Sequence, residues 1–206
     1  MTNEDFVITK EVVFRKYNGS DKNVVIPEGV TQIGNYAFRD SDIESVVIPD
    51  SVITIGEGAF LGCENLRTIS ISRNVISMGD EAFSHCKSLK DLVLPENLKF
   101  IAGNTFEYCL CIEGLLIPSN VLVIDAGAFM GCKNLKFLTL PERIEMIGSN
   151  AFEDCESLEA ITIPPNVQWL GPNAFENCKS LKTIKAPKDL DFSDIWVPDG
   201  CEIIRY

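Results

Sequence analysis

Residues 85–106 read HCKSLKDLVLPENLKFIAGNTF, and the residues after them repeat the same pattern in different letters. The skeleton of the first stretch is Cys86, Leu89, Leu92, Leu94, Pro95, Leu98, Ile101, Gly103 and Phe106. One repeat later it is Cys109, Ile112, Leu115, Ile117, Pro118, Val121, Ile124, Ala128 and Phe129. Working outward, the phenylalanine recurs at Phe38, Phe60, Phe83, Phe106, Phe129, Phe152 and Phe175, one step of 22 followed by five of 23. The aliphatic residue that ends each apolar run falls at Ile26, Ile48, Ile71, Leu94, Ile117, Leu140 and Ile163, with Ala186 as a degenerate eighth. Proline follows every one of these except Ile71, where Ser72 stands. A period near 23 residues means a stacked solenoid.

The physics of one unit follows from its letters. In Leu92-Val93-Leu94 the leucines point one way and the valine the other, as in a strand. Pro95 ends that strand because it has no N–H for the next ladder rung. Leu98 and Ile101 turn back to the same interior. The glycine row Gly34, Gly56, Gly79, Gly148 and Gly171 is expected at a corner that needs positive φ. The small alanine before each phenylalanine lets neighbouring coils approach. One coil cannot cover its own apolar face, so stacking must do so, with parallel strands about 4.8 Å apart. Eight strands in this arrangement span roughly 34 Å. The expected organisation is an N-terminal cap at 1–23 (a hairpin or paired strands), repeats over 24–187, and a C-terminal cap at 188–206. Trp196 and Tyr206 are expected to close the open apolar end. Asn18-Gly19-Ser20 reads as a turn rather than a glycosylation site.

Composition excludes several functions. The formal net charge is −12 over 206 residues, which argues against nucleic acid or anionic membrane as a partner, since both need a basic footprint. No apolar run is long enough to span a bilayer, so no membrane insertion is expected. The N-terminus lacks the pattern of a secretory signal. The expected location is cytoplasmic if that N-terminus is native, and cell surface or secreted if a signal was removed.

Six cysteines share one repeat position: Cys63, Cys86, Cys109, Cys132, Cys155 and Cys178. In-register stacking holds their sulfurs near the strand spacing, too far apart for a bond of about 2 Å, and the 23-residue step does not suit a metal site. A buried column of free thiols is the expectation, with no cofactor and no metal. Cys111 takes a position held elsewhere by Asn65, Ser88, Asn134, Ser157 and Ser180. It is the thiol expected to be most accessible, with Cys201 next, and it is the only foothold for a thiol-dependent enzyme. His85, the sole histidine, occupies a variable position beside Cys86. That adjacency is coincidental, because Cys86 belongs to the buried column. No phosphate-cradling loop or nucleophile elbow occurs, so no catalytic residue is assigned.

Two rows carry more information. Just before each strand stand Lys22, Glu44, Arg67, Lys90, Glu113, Lys136, Glu159 and Lys182, alternating in sign from Lys90 onward. A slip of one coil would place like charges together, so this row sets register. On the outward face of the strands, Val93, Leu116, Phe137 and Ala160 are expected to form an apolar patch. Such a patch rimmed by polar groups marks a partner site. A sugar ligand would ask for aromatics in a groove, and only Phe137 qualifies on this reading.

The unit Val52-x-x-Ile55-Gly56-x-x-Ala59-Phe60-x-x-Cys63-x-x-Leu66-x-x-Ile69-x-Ile71, repeated over roughly residues 24 to 187, resembles the BspA-type (treponemal-type) leucine-rich repeats. The resemblance implies a right-handed leucine-rich-repeat-like solenoid, mainly β and loop, with one parallel β-sheet and an irregular or 3₁₀ convex side. It also implies a non-enzymatic binding or adhesive module, as many family members are at bacterial surfaces. Ala102 and Asp125 depart from the glycine row and Thr105 from the alanine row. The expected activity is protein–protein interaction through the exposed sheet face. The alternative is a secreted or surface adhesin binding a host or matrix protein. The chain itself is expected to be a monomer or an end-to-end dimer.

Overall fold

The structure, a computed structural model, describes residues 5–90 and 92–206. Asp91, and residues 1–4 of the expected cap, lie outside the described residues. The chain winds into a β-solenoid of about eight turns with no α-helix among the described residues. Among the described residues no helix is long and apolar enough to cross a membrane.

Most coils contribute two strands. The first face carries the expected three-residue strands, each with its middle residue inward: Val24, Val46, Ile69, Leu115, Leu138, Ile161 and Ile184 are all buried. The second face carries two-residue strands, from Gln32–Ile33 to Trp169–Leu170, also paired in parallel register. Between the faces runs a chain of i→i−3 turns, such as Ala59 to Gly56 and Cys63 to Phe60. These are bonds of the 3₁₀ kind. The turns tie each coil to the next through backbone bonds such as Phe60 N–H to the carbonyl of Ala82.

Pairing on the first face is interrupted. Its strands form three groups: Asn23–Val25 to Thr68–Ser70, Gly114–Leu116 with Phe137–Thr139, and Ala160–Thr162 to Glu202–Arg205. Residues 92–94 are extended coil rather than the expected strand. The second face parts between Ser77–Met78 and Phe100–Ile101, within the same repeat, where Asp80 Oδ1 accepts from Gly103 N–H at 3.0 Å. Strands this short hold each other by one or two hydrogen bonds, so a small step in twist parts them.

The glycine row has a different cause from the one expected. Gly34, Gly56, Gly79, Gly148 and Gly171 do not have positive φ. They are needed because backbones meet there. A Cβ on Gly79 would lie 2.5 Å from Glu57 N, and one on Gly171 2.3 Å from Ser149 N. The left-handed corners come later, either side of the Ala-Phe pair. They are filled by Tyr36 and Asp40, Gly58 and Gly62, Glu81 and His85, and their equivalents to Asn173 and Asn177. Asn, Asp, His and Gly tolerate that conformation best, which explains the variable position of His85.

Two columns run through the interior beside the buried aliphatic rows. Phe14, Phe38, Phe60, Phe83, Phe106, Phe129, Phe152 and Phe175 stack with ring centroids 4.9–5.8 Å apart. Phe14, in the stretch read as a cap, is the first ring of the column. Its strand Val13–Tyr17 pairs antiparallel with Phe6–Ile8 and parallel with Gln32–Ile33. At the other end, Phe192, Ile195, Val197 and Cys201 pack on the core, while Trp196 stays exposed. Tyr206 reaches back to donate to the carbonyl of Ile163 at 2.7 Å.

The second column is the thiols. All six are buried and free. Each thiol donates to a phenylalanine carbonyl of the preceding coil at 3.0–3.2 Å, from Cys63 to Phe38 through Cys178 to Phe152. A cysteine here is therefore a small core residue with a weak donor that finds its acceptor. Ellman's reagent at pH 8 is expected to modify only Cys111 and Cys201 within minutes, and the other six only in denaturant. Rapid reaction of all eight would contradict the buried column.

Candidate protein-interaction face

The middle of the first face holds the apolar patch. Val93 is 81% exposed, Leu116 68% and Phe137 64%, and Ala160 is exposed on the strand beyond. In the parallel register Gly114 lies opposite Phe137, and Leu116 opposite Thr139. Gly114 lets the Phe137 ring lie flat along the sheet: a Cβ there would sit 2.1 Å from Phe137 Cε2. The sequence alone does not assign Gly114 this supporting part. Its signal was a glycine one repeat before an aromatic at the same position. Beside the patch, where residues 92–94 leave the ladder, is a groove of about 480 Å³ lined by Ile69, Ser70, Ile71, Lys90, Leu92, Val93 and Gly114.

Charge frames the patch on one side. Glu113 accepts from Lys136 Nζ at 2.8 Å, and this ammonium, with Lys90 behind it, holds the carboxyl below its usual range. Lys22 and Glu44 approach to 3.8 Å in the same row. Backbone bonds from Arg67 N–H to the Glu44 carbonyl and from Lys182 N–H to the Glu159 carbonyl place the row on successive coils. Exposed pairs of this kind add little to stability, so their main effect is on register. A second stack was not seen in the sequence: Lys87 with Glu64 at 2.7 Å, and Glu156 between Lys133 and Lys179 at 3.0 and 2.9 Å.

His85 does not meet a cysteine. Its Nδ1 lies 2.8 Å from Ser84 Oγ, and Ser84 also donates to Glu107 Oε2 at 2.9 Å. Serine, histidine and acid thus come together, but Ser84 is 1% exposed. A nucleophile must reach its substrate. Ser84 instead links one coil to the next. Cys111 sits half-buried on a turn, and among the described residues no group of metal-ligating side chains forms a site.

The second face holds what the sequence reading missed. Phe100, Val123, Met146 and Trp169 stand in direct register on neighbouring strands. Phe100 is 56% and Trp169 44% exposed. Phe137 is therefore not the only surface aromatic of note. Two-residue strands leave no alternation in the sequence, so Phe100 in LKFIAG reads as part of the core run.

The sequence matches the family model described as BspA type Leucine rich repeat region over residues 9–136 and 101–203, in six copies. Among solved structures it is similar to the leucine rich repeat protein TpLRR of T. pallidum. The identity is 25%, 98% of this chain and 92% of that one are covered, and the TM-score is 0.62. It shares its fold with a leucine rich cell surface protein from Faecalibacterium prausnitzii A2-165. There the identity is 22%, coverage is 100% of this chain and 76% of that one, and the TM-score is 0.62. No match was found among curated proteins.

Proposed function

The chain belongs to the BspA type leucine-rich repeat family, and from that premise we propose that it is a non-enzymatic module that binds a protein partner through the first sheet face, with Val93, Leu116, Phe137 and Ala160 as the contact. The observation that carries this reading is the Phe137 ring lying across Gly114 next to Leu116, more than half exposed. The core needs neither side chain at that place, and large aromatics in the open are the residues that anchor interfaces.

Affinity capture from lysate, read by mass spectrometry, tests this with the intact chain against Phe137→Asp. The variant is expected to fold, because the ring is outside the core, and to lose its partner by about tenfold or more in affinity, as a central anchor does. Unchanged capture would discard the patch. A surface adhesin is the second reading, favoured by the description of the F. prausnitzii relative as a cell surface protein. Its partner would then be extracellular, and localisation of the gene product in its native cell decides between the two.

A further inference from the structure

The second face carries charge in a pattern that is complementary to itself. One residue before each short strand, Ile76, Lys99, Leu122, Glu145 and Gln168 occupy equivalent repeat positions. Backbone bonds from Leu122 to the Lys99 carbonyl, from Glu145 to Leu122 and from Gln168 to Glu145 stack the last four. Lys99 and Glu145 are exposed, and neither side chain has a hydrogen-bond or ion-pair partner among the described residues. They are the only charged residues in this row and lie one coil either side of Leu122. The row beside it is the apolar stripe Phe100, Val123, Met146 and Trp169.

We propose that this face is the contact between two copies of the chain, packed face to face and antiparallel about a two-fold axis that lies in the interface along the Val123–Ile124 strand. That axis places Lys99 against Glu145 of the second copy, and Glu145 against its Lys99. Leu122 and Val123 meet themselves, Phe100 covers Met146, and Trp169 lies over the level of Ile76, itself half exposed. An isologous contact requires this kind of self-complementarity. A parallel arrangement would set Lys99 against Phe100 and pair no charges. A shift of one coil in the antiparallel arrangement would set Lys99 against Leu122. The charges therefore select one orientation and one register. Asp125 lies at the rim on the axis, and its carboxylate is turned back to accept from Ala126 N–H at 2.7 Å. The first face remains free in such a dimer, so this contact and the proposed partner site are independent.

The experiment is analytical ultracentrifugation of the chain over a concentration series, with charge-reversal variants. The chain is expected to dimerise. Lys99→Glu and Glu145→Lys, each placing two like pairs in the contact, are expected to raise the dissociation constant by about tenfold or more. The double variant is expected to return it to near the starting value. Circular dichroism checks that each variant folds. Phe137→Asp, on the other face, is expected to dimerise unchanged. A chain that stays monomeric at every concentration, single variants that dimerise as before, or a double variant that is not rescued would each overturn the proposal.

Discussion

Phe106→Ala is expected to destabilise the protein by about 3–5 kcal/mol, the cost of removing a fully buried aromatic. The ring touches Phe83 at 5.7 Å and Phe129 at 5.4 Å between centroids, nearly parallel to the first. Its level is the one where the second face has parted between Ser77–Met78 and Phe100–Ile101. Few strand bonds cross that level, so the phenylalanine stack, the turn bonds and the Ser84–Glu107 contact hold the two halves together. In a solenoid each coil is held only by its neighbours. The same change at Phe152, where Met146–Ile147 is paired on both sides, is therefore expected to cost less. Urea unfolding followed by circular dichroism measures both. Phe106→Ala is also expected to lower the denaturant slope, because the halves then unfold apart. A cost below about 1 kcal/mol at Phe106, far under the usual range, would contradict the stack as the main support.

The second large effect is on alkaline stability. Burial pushes the thiols of Cys63, Cys132 and Cys178 up to about 12, and those of Cys86, Cys109 and Cys155 also rise well above 9.0. In the unfolded chain all of them titrate near about 8.5. The folded state keeps protons that the unfolded state gives up. The contribution of each thiol is complete below the unfolded value and is lost as pH rises from there through the folded value. Within that window each group loses about 1.4 kcal/mol per pH unit, and the column of six loses about 8 kcal/mol per unit. A domain of ordinary stability has about 5–15 kcal/mol in all. The protein is thus expected to unfold cooperatively near pH 10 under reducing conditions, with the urea midpoint falling steeply from pH 9. A midpoint that stays flat to pH 10 would contradict a column of buried, protonated thiols.

Most of the fold was legible in the sequence because a solenoid repeats each interior requirement at one place. The cysteine and phenylalanine columns, the inward strand residues and the charged row all stood at fixed steps, and a single coil read against its neighbours separates core from surface. The glycine row shows what the period does not reveal. Gly56 and Gly79 stand out by their period, but the same letter serves close backbone approach and positive φ alike, and only the fold separates them. Phe14 reads as part of the N-terminal cap because it precedes the first full repeat, although its ring starts the column.

For the candidate site, the outward row predicted Val93, Leu116 and Phe137 because three-residue strands alternate, and alternation is visible in sequence. The support of Phe137 by Gly114 and the gap at residues 92–94 were not visible, since both arise between coils. Phe100 and Trp169 were hidden for a related reason. A strand of two residues has no period, so an exposed aromatic next to a buried Ile101 or Leu170 reads as one apolar run.

The central claim, that the first face receives a protein partner at the Val93–Phe137 patch, is tested most directly by hydrogen–deuterium exchange of the chain with and without the captured partner. The account predicts slowed exchange at residues 92–94, 114–116 and 137–139 on binding, with the two-residue strands of the second face unchanged. Protection confined to the second face or to the turns, with those three segments exchanging as before, would contradict it.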